Sequence, residues 1–372
     1  MARRGSHEGN IRKRTDGRWE ARLRLPGNQR KHLYGTTRTE VVKQLQTFQR
    51  QLEQGTPAVA DKLTVSRYLH DWLEGCRPPA LEYSTWKGYE QYVRLHLIPA
   101  FGTTKLVQLT PQQLQKLYTD KLAQGKSTTT VRHIHACLHR ALEDALRFGL
   151  VQRNVADLVK APQMAKHPMQ VFTPEQARKF LEVAKGNRLE AFYVLALNTG
   201  MRLGELLGLK WRDVDLEAGT VQIQTSLKKA VSGHALGKTK TTGSRRKVML
   251  TPTAIAALRA HRARQLEERL QSPAWYDYDL VFTNSIGNTL CPTNVYRRGF
   301  KPLLRQAGLP MIRLHDTRHT AATLLLLSGI HPKVVSEMLG HSSINITLNL
   351  YSHVLPDMQA SAASAMERLL GG

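Results

Sequence analysis

The spacing of apolar residues along this chain changes from two to helical within the first 60 residues, and the change marks a small mixed module. Residues 10–14, 18–26 and 29–34 read as three short strands. They are separated by Asp16-Gly17 and Gly27-Asn28, both strong hairpin signals. In the second strand Trp19, Ala21, Leu23 and Leu25 alternate with Arg18, Glu20, Arg22 and Arg24. That alternation predicts one face on a core and a basic face outward. Val41, Leu45, Phe48 and Leu52 then form the buried stripe of a helix over residues 39–54, ended by Gly55.

After a stretch of small residues at 56–62, four amphipathic helices are expected. The first holds Val65, Tyr68, Leu69, Trp72 and Leu73, and the second Trp86, Tyr89 and Val93. The third opens with Thr110 as N-cap and Pro111 behind it, with Leu114, Leu117, Tyr118 and Leu122 inside. The fourth follows a cap region at 127–130 and buries Val131, Ile134, Leu138, Leu142, Ala145 and Leu146. The aromatic residues stand at core spacing, so they read as core rather than as a base-stacking platform. Residues 161–170 carry two prolines and no period, which reads as a linker. The remainder is mixed and mainly helical. Thr173-Pro174-Glu175-Gln176 is a capping box, 221–224 and 247–250 read as one hairpin with a Lys- and Gly-rich connection, 280–283 as another short strand, and helices resume after Pro292. The expected fold class is therefore a multidomain α+β chain. It comprises a three-stranded sheet plus helix over 1–55, an all-α four-helix domain over 62–160, and a mixed, mainly helical domain with a small antiparallel sheet over 171–372.

Charge narrows the partners. The 372 residues hold 54 Lys and Arg against 29 Asp and Glu, a formal charge of +25. The three segments carry about +8, +5 and +12, so the short first one is the most basic per residue. A folded chain this basic repels itself unless it meets a polyanion, and nucleic acid is the expected one. Charge alone does not separate a DNA enzyme from a repressor or a ribosome-associated protein. No apolar run approaches the ~18–20 residues that cross a bilayer, and the first residues lack an apolar signal region. No membrane partner is expected. Three scattered cysteines suit a reducing cytoplasm.

Metal and nucleotide motifs are lacking: there is no GxxxxGK[ST], no HExxH, no spaced Cys/His quartet and no acidic cluster for Mg²⁺. No metal and no cofactor are expected, so phosphate chemistry must run on cationic side chains. Four short motifs offer them, and a fifth holds a tyrosine. Residues 198–205 place Arg202 just past a glycine. Lys240 sits in the hairpin connection. His315 and Arg318 share one face of a helix start. His341 follows Leu339-Gly340, and Tyr351 lies ten residues further on.

This ordered set, Arg202, Lys240, His315, Arg318, His341 and Tyr351, resembles the tyrosine recombinase family, the phage-type integrases. The likeness of the catalytic domain covers about the last 200 residues. The four-helix segment resembles the family's core-binding domain, and the first module its arm-type DNA-binding domain. The resemblance implies that Tyr351 is the nucleophile, that Arg202 and Arg318 hold the phosphate, and that His315 is a general acid/base. It implies that His341 hydrogen-bonds a phosphate oxygen and that Lys240 protonates the leaving 5′ oxygen. Lys238 is the competing lysine. Lys240 is preferred because it lies four residues before Ser244 and the Arg245-Arg246 pair, as is common in the family. Glu205 resembles an acidic position that orients the active-site Arg, and His319 is read as structural. Arg12, Arg14, Arg18, Arg22 and Arg24 are candidate DNA contacts.

The chemistry agrees: a phenol can attack phosphorus and store the bond as an ester, so rejoining needs no ATP. The partners implied are double-stranded DNA at attachment sites, a homotetramer on synapsed DNA joined through a Holliday junction, and an excisionase or a DNA-bending host protein. The place implied is the nucleoid of a bacterial cytoplasm. Met358, Ala362, Met366 and Leu369 space out a final helix, expected to dock on a neighbouring subunit. Other readings are a chromosome-dimer resolvase, a transposon recombinase and a catalytically silent DNA-binding regulator.

Overall fold

The computed structural model describes residues 10–24, 30–53, 62–163, 169–238, 245–351 and 357–370. Two compact units emerge, Met1–Lys166 and His167–Gly372. No helix of the described residues is long and apolar enough to cross a membrane.

The first unit begins with an antiparallel sheet of β1 (Asn10–Lys13), β2 (Trp19–Arg24) and β3 (Arg30–Gly35), in that order, followed by helix α1 (Arg38–Glu53). Ala21 of β2 packs against Val41 and Leu45 of α1, as the period of two requires. Phe48, Leu52, Leu23 and Leu25 lie outside the side chains described. The opposite face departs from a plain basic surface. Glu20 is only 1% exposed there, because Arg12, Arg22 and His32 close around its carboxylate at 2.7, 3.2 and 2.6 Å. Arg14 pairs with Asp16 and covers the Tyr34 ring, and Arg18 is exposed. Arg24 ends β2.

The helical part holds α2 (Val65–Gly75), α3 (Tyr83–Tyr92), α4 (Ile98–Phe101), α5 (Pro111–Ala123) and α6 (Thr128–Arg147). Thr64, Thr110 and Ser127 cap α2, α5 and α6 through their hydroxyls, and Gln113 completes a capping box on Thr110. Val65, Leu69, Leu114, Tyr118, Ile134 and Leu138 meet in one core. The expected burial of Leu122 fails, since it is 37% exposed at the end of α5. Trp86 and Tyr89 are half-buried, with Trp86 donating to the Leu73 carbonyl at 3.0 Å.

The second unit contains α7 (Pro174–Ala184), α8 (Glu190–Thr199), α9 (Leu203–Leu207), α10 (Pro252–Gln271), α11 (Pro292–Asn294), α12 (Lys301–Gln306), α13 (Asp316–Leu327), α14 (Pro332–Leu339), α15 (Ile344–Tyr351) and α16 (Asp357–Leu370). Thr173 and Gln176 form the expected capping box on α7. Helix α8 is apolar all round and lies in the centre of the core, where Phe180, Phe192, Tyr193, Phe282 and Phe300 meet largely edge to face.

A three-stranded sheet orders β4 (Val214–Asp215), β5 (Thr220–Ile223) and β8 (Arg246–Met249), with Gln222 opposite Lys247. The expected hairpin is therefore present, but its connection is not a loop throughout. It contains a second hairpin, β6 (Thr225–Ala230) and β7 (Gly233–Lys238). Helix α9 presses on β6 so closely that a Cβ at Gly208 would stand 2.8 Å from the Ser226 backbone. The short strand expected at 280–283 reduces to isolated bridges, Lys210 to Leu280 and Thr283 to Thr289.

Candidate active site

Three chain breaks in regular structure converge on one place: the α8–α9 turn, the start of α13 and the α14–α15 turn. Helix α8 ends at Gly200 in the left-handed conformation, φ +61°, and α14 ends the same way at Gly340, φ +66°. At Gly200 a Cβ would stand 2.5 Å from Leu339 Cδ2, so both the backbone angle and the packing exclude a side chain.

These turns deliver the arginines. Arg202 is the N-cap residue of α9. Its Nη1 donates to Glu205 Oε1 at 2.9 Å, its backbone N–H to Glu205 Oε2 at 3.0 Å, and its Nη2 to the Gly340 carbonyl at 3.1 Å. Arg318, in the first turn of α13, is 3% exposed and donates from Nη1 to the Gly200 carbonyl at 2.8 Å. Each arginine is thus anchored by the backbone of another motif. Arg202 rests on the residue before His341, and Arg318 on a residue just before Arg202.

Glu205 is the hub. It is 3% exposed, and its Oε2 accepts from Arg246 Nη2 at 2.9 Å. Burial alone would raise its carboxyl. The hydrogen bonds and charge of Arg246, and then Arg202, outweigh burial and hold it below the usual carboxylate range. Arg246, on β8, also donates to the Met338 carbonyl of α14. Sequence reasoning assigned it no role, although the Arg245-Arg246 pair was visible. Asp316 likewise has no signal of its own in the sequence. It accepts from the Arg313 backbone and guanidinium, each at 2.8 Å, which fixes the turn that leads into α13.

The histidines stand among these cations. His315 precedes α13, and its ring lies edge-on to His319 at 5.1 Å. Burial, then the charge of Arg318, lowers its proton affinity below that of an ordinary histidine. Burial, then Arg318 and Arg202, pushes His341 down to about 4. Burial, then His315, does the same for His319. Nδ1 of His341 lies 2.8 Å from the Thr347 hydroxyl. Tyr351 is the last residue of α15, and Lys240 lies outside the described residues. Lys238 ends β7. Arg202, Glu205, His315, Arg318 and His341 are therefore drawn together, with the helix ending at Tyr351 beginning three residues after His341.

One consequence concerns acid stability. An unfolded histidine binds its proton near pH 6.5, whereas folded His319 and His341 refuse theirs until about 4. Within that window the unfolded chain binds more protons, so stability is full above about 6.5 and falls as pH drops. Calorimetry from pH 7 to 5 should show a steadily falling melting temperature, with a shallower fall in His319→Gln. A flat profile over that range would contradict the burial of these imidazoles as neutral groups.

Known proteins resemble this chain over most of its length. Residues 170–358 match the model of the phage integrase family, and residues 64–122 match a phage integrase N-terminal SAM-like domain. A XerC-like tyrosine recombinase from Caldanaerobacter subterraneus is 32% identical, over 91% of this chain and 92% of the relative. An integrase from Saccharopolyspora erythraea is 27% identical, over 96% and 95%. Among solved structures, the Tn1549 transposon integrase in complex with transposon right end DNA matches with TM-score 0.70 and 23% identity. That match spans 83% of this chain and all of the other. A lambda integrase tetramer bound to a Holliday junction shares the fold at TM-score 0.58 and 17% identity, over 94% and 96%. With its family match spanning half its length and a relative of nearly equal extent above 30% identity, this chain belongs to the phage integrase family of tyrosine recombinases, enzymes that cut and rejoin DNA.

Proposed function

We propose that the chain is the integrase of a phage or other mobile element, and that Tyr351 is its nucleophile. The Tyr351 oxygen bonds to the scissile phosphorus as the bond to the 5′ oxygen breaks, leaving a 3′-phosphotyrosyl link and a 5′-hydroxyl. Arg202 and Arg318 bind the non-bridging oxygens, on which the transition state concentrates charge. His315, kept neutral by burial, receives the phenolic proton. His341, also neutral, donates an N–H to a phosphate oxygen. Lys240 delivers the proton that the 5′ oxygen needs. Attack by the 5′-hydroxyl of the partner strand reverses the step and rejoins DNA. The observation that carries this reading is the interlocking of Arg202, Arg318 and Glu205 through the backbone at Gly200 and Gly340, with His315 and His341 set among them.

Three domains are proposed, with the boundaries given above. The first module offers Arg12, Arg14, Arg18, Arg22 and Arg24 to accessory arm sites, the helical domain holds the core site, and the last domain cuts. Two related sites would be joined by a homotetramer through a Holliday junction, as the family likeness suggests. DNA flanking the element, carrying inverted repeats around a short spacer, supplies the substrate for each test below.

The proton donor has its own test. A bridging 5′-thiolate leaves without protonation, so a substrate with that sulfur restores cleavage only in a variant that lacks the acid. Lys240→Ala should be slow on the oxygen substrate and near wild-type on the thiol. Lys238→Ala should show no such rescue. Rescue of Lys238→Ala alone would transfer the role to Lys238.

A further inference from the structure

The contact between His341 and Thr347 is used by none of the roles above. Thr347 has no exposed surface, lies on α15, and stands one helical turn before Tyr351. Its hydroxyl is 2.8 Å from His341 Nδ1. A buried hydroxyl requires a hydrogen-bond partner, and a side chain chosen for packing alone at such a site would be apolar. A neutral imidazole has one N–H and one bare nitrogen, and whatever bonds to one of them decides the other. If the hydroxyl donates to Nδ1, the ring proton must sit on Nε2, the nitrogen left for a ligand. The burial and cations that keep His341 neutral make this choice consequential, because a protonated ring would donate from both nitrogens.

We propose that Thr347 is a positioning residue: its hydroxyl donates to His341 Nδ1, makes Nε2 the N–H donor toward the scissile phosphate, and ties that ring to the helix that ends at Tyr351. The proposal rests on the reading of His341 as a phosphate ligand. It gives α15 a second task. Only when the helix is seated does His341 have its phosphate-binding tautomer, so the donor and the nucleophile's helix are assembled together.

The test is single-turnover cleavage of a nicked duplex by the full chain, with DNA binding and melting temperature measured in parallel. Thr347→Val, which keeps the shape and removes the hydroxyl, should slow cleavage about tenfold or more while binding holds. Thr347→Ser should stay within about threefold of wild type, since it keeps the donor. In a His341→Ala background, Thr347→Val should have no further effect. Nitrogen-15 shifts of the His341 ring should report Nε2–H in the wild type and a mixed tautomer in Thr347→Val. The proposal is overturned if Thr347→Val cleaves at the wild-type rate, if it slows both backgrounds equally, or if the wild-type ring carries its proton on Nδ1. Wild-type cleavage by His341→Ala would instead remove the phosphate-ligand reading, and the proposal with it.

Discussion

Replacing Tyr351 with Phe should abolish the covalent protein–DNA adduct on a nicked core-site duplex while leaving the affinity for that duplex within about twofold. The substitution removes one oxygen and nothing else. That oxygen is the atom proposed to bond to phosphorus, and phenylalanine offers no nucleophile in its place. The loss should therefore be a loss of signal, at least ~10³-fold, rather than a graded slowing. Binding should persist because it rests on many lysines and arginines spread along a chain of charge +25, each contributing to a salt-dependent sum. An adduct of ordinary yield from Tyr351→Phe would remove the nucleophile assignment. Loss of binding in the same proportion would show that Tyr351 acts in fold or affinity instead.

Arg318→Lys should be the next most severe change, slowing cleavage about 10²–10³-fold with DNA affinity nearly unchanged. Charge is conserved by this substitution, so electrostatic affinity is little altered. Geometry is not conserved. The guanidinium is buried, with one nitrogen anchored to the Gly200 carbonyl at 2.8 Å, and its charge acts on both His315 and His341. Its planar fork can bond to the carbonyl and still offer parallel N–H groups to a phosphate, whereas an ammonium is a point charge that must choose. A preorganised donor of this kind is worth about 3–4 kcal/mol in the transition state. Cleavage within about tenfold of wild type would mean that charge alone suffices at this position.

Much of this site could be read from the chain because its residues are tied to helix boundaries, which leave local signals. Gly200 and Gly340 are the left-handed ends of α8 and α14, and each stands within two residues of a reactive side chain. The N-cap and proline at Thr110 and the capping box at Thr173 fixed two helix starts to the residue for the same reason.

What escaped depends on partners far away in sequence. Arg246 looked like one of a basic pair on a strand end. Its burial comes from Glu205, 41 residues earlier, and from Met338, 92 residues later. Glu20 sat in the polar register of β2 and would ordinarily face water. It is buried because β1 and β3 bring Arg12 and His32 over it from either side. The β6–β7 hairpin was hidden because half of its strand residues are Lys, Gly or Ser, with little apolar alternation. The close approach of α9 supplies what the strand pattern lacks. Leu280 and Val281 had the composition of a strand. Their carbonyls are instead taken up by Gln265 and His261 of α10, side chains that no local pattern announces.

The central claim is that a tyrosine at the end of α15 becomes joined to DNA. The most direct measurement traps the adduct of the wild-type chain on a nicked duplex, digests protein and DNA, and locates the nucleotide-bearing peptide by mass spectrometry. The expected result is a single modified residue, Tyr351, carrying a nucleotide through its 3′-phosphate. A nucleotide on any other residue, or one attached through a 5′-phosphate, would contradict it.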